Sequence, residues 1–155
     1  QEPSVFWDLT VRENLSAFAE FSGEANGPSP EDRASRVGLD ERLDVAAGSL
    51  SAGERRRLEI ARAIVRTPKL LVCDEPFAGV DPKGAQKLGK LLSELAQSGV
   101  AVLFADHHVE EALAITSRAL LLLDGQFEAE GTPEEFRQHA SVKGRYLGTL
   151  TRLGT

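Results

Sequence analysis

"LSAGERRRLEIARAIVRTPKLLVCDEP", residues 50 to 76, changes its hydrophobic period halfway along, and that change decides the fold. Ser51 and Glu54 have the spacing of a capping box, in which the hydroxyl accepts the Glu54 N–H and the carboxylate reaches back to the cap. Leu58, Ala61 and Val65 then recur at helical spacing and Pro68 follows, so a helix is predicted over 51–66. Beyond Pro68, "KLLVCDEP" sets an apolar run before two acids and a proline, the pattern of a buried strand ending at Asp74. A helix that feeds a buried strand is the unit of an α/β fold.

The alternation continues downstream. "DPKGAQKLGKLLSELAQSG" (81–99) has Asp81 as a cap, Pro82 at the first helical position and Gly99 as the stop, with Leu88, Leu91, Leu92 and Leu95 on one face. "VAVLFA" (100–105) predicts a second buried strand, and "HVEEALAI" (108–115) another helix. "RALLLLDGQFEAEG" (118–131) reads as two strands joined at Asp124–Gly125, and "TPEEF" (132–136) as a capped helix start. Upstream the chain is mostly helical: "TVRENLSAFAEF" (10–21) carries Val11, Leu15, Phe18 and Phe21 as a stripe after the Thr10 cap, and "PEDRASRVGL" (30–39) follows a loop. The predicted organisation is a helical part, 1–67, and a part, 68–155, built on a parallel sheet flanked by helices. No internal repeat or low-complexity tract interrupts it.

The 155 residues suffice for one ordinary domain with a core. A net charge of −6 lacks the basic excess of a nucleic-acid footprint, so nucleic acid is not an expected partner. The run Arg55–Arg56–Arg57 reads as a solvated helix face. The single cysteine, Cys73, can form no internal disulfide and sits in an apolar run, which suits a reducing compartment. "ALLLL" (119–123) is far too short to span a bilayer, and "QEPSVFW" has neither the basic start nor the apolar core of a signal peptide, so a soluble, cytosolic protein is expected. The chain contains no methionine, and is therefore expected to be a piece of something longer.

Polar function in open α/β sheets gathers beyond the carboxyl ends of the strands. Asp74 and Glu75 fall there; one carboxylate can hold Mg²⁺, often through water, while its neighbour polarises an attacking water. The plainer reading is that two acids end a strand in solvent. Asp106, His107 and His108 follow the second strand, where His107 could hydrogen-bond a phosphate or serve a structural role. The amino end of the helix at Ser51 either caps itself or offers its N–H groups to a phosphate.

These pieces have an order, and with it the sequence resembles the nucleotide-binding subunits of ABC transporters over essentially its whole length. "LSAGE" is similar to the family's signature sequence, usually LSGGQ or LSGGE, with Ala52 in place of a glycine. "LLVCDE" resembles the Walker B strand, Asp81 in "FAGVDP" matches the D-loop aspartate, and His107 matches the switch histidine. The resemblance implies an ABC ATPase fold: a P-loop NTPase core with a parallel sheet, incomplete here, plus a helical subdomain. It implies ATP and Mg²⁺, with Asp74 and Gln1 (the Q-loop glutamine) on the magnesium side, Glu75 as catalytic glutamate and His107 as sensor of the γ-phosphate. It further implies a head-to-tail dimer, in which Ser51, Ala52, Gly53 and Glu54 face the γ-phosphate held by a second nucleotide-binding subunit. Transmembrane permease subunits are the other implied partners, with Phe6 and Trp7 as candidates for their contact or, alternatively, for packing within the helical subdomain. The implied location is the cytoplasmic face of the inner membrane. Within the family, "GERRRLEIARA", "DEPFAGVDP", "ADHHVEEAL" and "GTPEEF…YLG" most resemble the ATPases of bacterial lipopolysaccharide exporters, followed by those of branched-chain amino-acid importers. Soluble ABC ATPases of DNA repair or translation share the motifs and form a further alternative.

One element of the family is missing. The only near match to a GxxxxGK[ST] phosphate loop is "GAQKLGKL" (84–91), which has Leu91 where a magnesium-binding hydroxyl belongs and lies inside a predicted amphipathic helix. Residues 1–155 alone are therefore expected to hydrolyse no ATP. The resemblance places the missing strand between those at 101–105 and 119–123.

Overall fold

The computed structural model describes residues 5–139 and 142. It divides into two compact units, one up to Asp106 and one from His107 onward.

In the first unit, local capping starts each α-helix. The Thr10 side chain accepts the Glu13 N–H, and α1 runs Val11–Phe21; Ser29 does the same with Asp32 for α2, Pro30–Arg36. Ser51 caps α3, Ala52–Ala63, and Asp81 caps α4, Pro82–Gln97, with Pro82 at its start. α1 packs on α2 and α3, and α3 on α4. The stripe on α1 is Val11, Leu15 and Ala19, whereas Phe21 is 82% exposed. Each step of three residues falls about 60° short of a full turn, so two such steps from Leu15 carry Phe21 off the buried face. Gly99 follows α4 with φ +95, a left-handed stop that glycine takes without strain.

Strands β1, Leu70–Asp74, and β2, Ala101–Ala105, pair in parallel, Leu70 opposite Ala101 and Asp74 opposite Ala105. The face bearing Leu71 is covered, and Phe104 meets Phe77 edge-on at 6.1 Å. α4 lies against β2 and buries Leu88, Leu91, Leu92 and Leu95. The opposite face is open: Leu70, Val72 and Leu103 are each more than half exposed. Expecting both strands to be buried was therefore half right. Their two-sided apolar sequence suits cover on both faces, and the described residues supply a helix to only one.

In the second unit, α5, Val109–Ile115, precedes the antiparallel hairpin of β3, Ala119–Leu123, and β4, Gln126–Gly131. Asp124 (φ +49) and Gly125 (φ +79) are both left-handed, as a two-residue type I′ turn requires. A bulge interrupts the register between Leu121 and Leu122. Leu113, Leu121, Ala129, Phe136 and Val142 form the core, closed by α6, Pro133–Gln138, behind its Thr132 cap.

Asn14 ties the segment before α1 to that helix. It is fully buried; its Oδ1 accepts the Phe6 N–H at 2.9 Å, and its Nδ2 donates to the carbonyls of Phe6, Leu9 and Thr10 at 3.0 to 3.1 Å. The carbonyls of Phe6, Leu9 and Thr10 also accept the backbone N–H groups of Leu9, Ala47 and Asn14, so removing the amide takes a partner chiefly from the Phe6 N–H, at a cost of about 1–3 kcal/mol. Asn14→Ala should lower the stability of the chain by about 2 kcal/mol, read as a fall in the urea midpoint at unchanged slope.

Candidate functional site

The amino end of α3 is organised by charge and by close packing. Ser51 has extended backbone (φ −62°, ψ 162°), and its hydroxyl accepts the Glu54 N–H at 3.3 Å. Glu54 Oε2 in turn accepts from the Ser51 N–H at 2.9 Å and from its hydroxyl at 2.8 Å, while Oε1 accepts from Arg42 Nε at 2.8 Å. Burial alone would push the Glu54 carboxyl up, but the Arg42 guanidinium and both Ser51 donors outweigh it and hold the group at about 2. Ala52 takes its place as the first residue of α3 without departing from helical geometry.

Gly53 brings this turn against the next. A Cβ there would lie 3.2 Å from Val80 Cγ1 and 3.5 Å from the Gly84 Cα. Asp81 caps α4 at that contact, its Oδ1 accepting the N–H groups of Lys83 and Gly84 at 3.1 and 3.0 Å. Arg57 is buried at the same contact, its Nε without a hydrogen-bond partner; burial lowers its pKa, and the carboxylates of Glu54 and Asp81 oppose the shift. The structure thus brings "LSAGE" and Asp81 together.

β1 ends in a strained residue. Glu75 has φ +44°, a left-handed conformation that costs a side-chain-bearing residue about 1–2 kcal/mol. Its N–H donates to Ala105 O at 2.8 Å, and its carbonyl accepts from Ala78 N–H at 3.1 Å and from Arg56 Nη2 at 3.0 Å. Asp106, just past β2, accepts the Phe77 N–H on Oδ2 at 2.8 Å. Asp74 is exposed on the open side of the sheet and Glu75 is half-buried. "GAQKLGKL" lies wholly within α4, so its N–H groups belong to that helix rather than to a phosphate cradle.

The arginine run is not a solvated face. Three consecutive residues spread over about 200° of a helix and cannot share one side. Arg55 lies 5.3 Å from the Trp7 ring, Arg56 reaches Glu75, and Arg57 is buried. That angular spread was the available signal for Arg56; the bond from Phe77 N–H to Asp106, 29 residues apart, left no local signature. Phe6 and Trp7 are 44% and 42% exposed. Arg62 stacks between Phe6, at 5.1 Å, and Phe18, at 3.9 Å, so one side of the Phe6 ring is packed. His107 opens the second unit, its ring centroid 4.2 Å from that of His108. Gln1 lies outside the described residues.

Residues 1–78 match the family model described as ABC transporter. The chain is 41% identical over 157 aligned residues to the lipopolysaccharide export system ATP-binding protein LptB of Escherichia coli (strain K12), covering 99% of this chain and 65% of that protein. Among solved structures, MJ1267, an ATP-binding cassette of an ABC transporter in its ADP conformation, matches with a TM-score of 0.75 and 27% identity over 91% of this chain and 63% of its own. Another is cbiO1 from Clostridium perfringens, part of the ABC transporter complex cbiONQ, with a TM-score of 0.73 and 26% identity over 96% of this chain and 63% of its own. The chain thus spans a little under two thirds of the length of each.

The depressed Glu54 carboxyl has a consequence for acid stability. Its folded-state value near 2 lies below the ordinary 4.5, so the stabilisation it gives is complete above about 4.5 and is lost as the pH falls towards 2. Glu54→Gln should therefore be less stable than the parent at pH 7, and the gap should shrink between pH 4.5 and 2 in urea titrations run across that range.

Proposed function

We propose a function for this chain on one premise: it belongs to the ABC transporter family. The chain is part of an ATP-binding and ATP-hydrolysing subunit that energises a membrane transporter, with export of lipopolysaccharide or a related lipid as its task. The observation that carries this reading is the contact of the Ser51–Glu54 turn with the Asp81 turn, in the unit that also holds Asp74 and Glu75 at a strand end. The similarity to LptB supports the choice of cargo. The described residues contain no helix long and apolar enough to cross a membrane, which suits a peripheral place on the cytoplasmic face of the inner membrane, beneath permease subunits that Phe6 and Trp7 would meet.

The reaction is attack of water on the γ-phosphate, in line with the leaving group. Glu75 orients and polarises the water, and His107 hydrogen-bonds the γ-phosphate. Asp74 fits a magnesium site by its chemistry, an exposed hard oxygen donor at the carboxyl end of β1, and Gln1 would complete it. Bound Mg²⁺ supplies charge neutralisation on the phosphate oxygens. The N–H groups and positive end of α3 serve the γ-phosphate held by a second nucleotide-binding subunit, arranged head to tail. By role, residues 1–67 carry the permease contact and this helix end, and 68–155 the hydrolytic groups. The 155 residues contain no GxxxxGK[ST] phosphate loop, which supports the reading that they hydrolyse no ATP by themselves; the open face of β1 and β2 supports a further covering layer.

In the complete protein, Glu75→Gln should lower ATP hydrolysis at least 100-fold while ATP binding persists, since an amide keeps the side chain's size but polarises water poorly. Steady-state turnover beside equilibrium nucleotide binding checks this, and near-parental turnover would remove Glu75 from the mechanism. In that Glu75→Gln background ATP should favour the dimer, and Ser51→Arg should abolish dimerisation in size-exclusion chromatography while each monomer still binds ATP. A dimer that survives Ser51→Arg would reduce the Ser51–Glu54 turn to a capping box.

A further inference from the structure

We propose that Arg56 is a positioning residue for hydrolysis: from α3 it holds the main chain of Glu75 and so fixes the carboxylate that polarises water. The inference rests on the role proposed above for Glu75 and adds to it a link between the helix end that meets the phosphate and the residue that activates the water, within one subunit.

Glu75 needs to be held. Its left-handed backbone is unfavourable for a residue with a side chain, and such a conformation persists only where the surroundings over-determine it. Two of its backbone hydrogen bonds, to Ala105 O and from Ala78 N–H, are local to the strand ends and the following turn. A further bond reaches its carbonyl from α3, the 3.0 Å contact of Arg56 Nη2 with Glu75 O. Arg56 is itself oriented. Its Nη1 donates to Glu59 Oε2 at 2.7 Å, one turn along α3, and both side chains are mostly covered. The planar guanidinium therefore spans a carboxylate on its own helix and a carbonyl at the end of β1, a geometry in which two donors are fixed relative to each other. Cys73, on the covered face of β1, senses the same pair: burial pushes its thiol up, Arg56 opposes the rise and Glu59 adds to it. A displacement of α3 along its axis would pull directly on the Glu75 carbonyl. Rotation about the two bonds flanking its Cα would then swing the carboxylate.

The test uses the complete, ATP-hydrolysing protein. Arg56→Ala should reduce kcat about tenfold or more with the KM for ATP changed less than twofold, because the binding surfaces for nucleotide remain. Arg56→Lys, which keeps one charged donor, should restore part of the loss, and Glu59→Gln, which loosens the orienting bond, should give an intermediate kcat. In a Glu75→Gln background Arg56→Ala should cause no further fall, since the residue it positions has already lost its function. An Arg56→Ala protein with kcat within twofold of the parent overturns the proposal. So does an equal fall in both backgrounds, or a loss confined to KM. Should Arg56→Ala fail to fold, Arg56→Lys and Glu59→Gln decide: parental kcat in both overturns the proposal. If Glu75→Gln itself turns over at the parental rate, the hydrolytic role of Glu75 fails first, and that result is visible before any Arg56 variant is made.

Discussion

The first turns of α3 and α4 meet closely through Gly53, where a Cβ would lie 3.2 Å from Val80 Cγ1 and 3.5 Å from the Gly84 Cα. A Cβ at Gly84 would stand 2.8 Å from Val80 Cγ1 and 2.9 Å from Asp81 Oδ2, and one at Gly53 would press on the same valine. Much of the first unit's candidate site follows from that closeness. The Asp81 carboxylate can cap α4 and still lie near enough to oppose the burial of Arg57, together with Glu54. A buried guanidinium with an unpaired nitrogen is costly where no opposite charge faces it, so the arginine and the two acids form one arrangement. Arg57 could not sink there if Gly53 carried a side chain that forced the turns apart.

The parts of the fold legible in the sequence are those set within four or five residues. Thr10, Ser29, Ser51, Asp81 and Thr132 all cap helices with side-chain hydrogen bonds. The Asp124–Gly125 turn was equally readable, because φ > 0 at both positions is a demand only a few residue pairs satisfy. Sequence alone misleads where the outcome depends on what lies across space. The arginine run has the composition of a solvated face, yet its members diverge toward Trp7, Glu75 and the α4 contact. Phe21 continues the apolar spacing of α1, but the helix leaves the buried stripe behind before its last turn.

The strands show the same limit. Apolar residues on both faces of β1 and β2 announce cover on both, and the described residues provide one covered face and one bearing Leu70, Val72 and Leu103. In the hairpin of the second unit, Leu120, Leu122 and Phe127 are likewise exposed opposite a packed core. In each unit by itself, these exposed apolar side chains leave one strand face open to further cover. The strand sequences are thus written for more neighbours than the described residues supply. The relatives' greater length is consistent with that.

Backbone strain links the local and the distant readings. Of the non-glycine residues with positive φ, Thr67 and Glu75 each precede a proline, Pro68 and Pro76. The ring of a following proline disfavours the right-handed helical region, leaving extended or left-handed backbone. At Thr67 the choice ends the turn after α3 and releases the chain toward β1. At Glu75 it does more, because an extended residue would prolong β1 past Ala105, its last partner on β2, while Pro76 could donate nothing to the ladder. The left-handed turn instead stops the strand at its last useful hydrogen bond, from Glu75 N–H to Ala105 O, and leads into Phe77, whose N–H is taken by Asp106. Proline therefore removes one alternative, the end of the ladder removes the other, and the conformation that remains is the one Arg56 meets from α3.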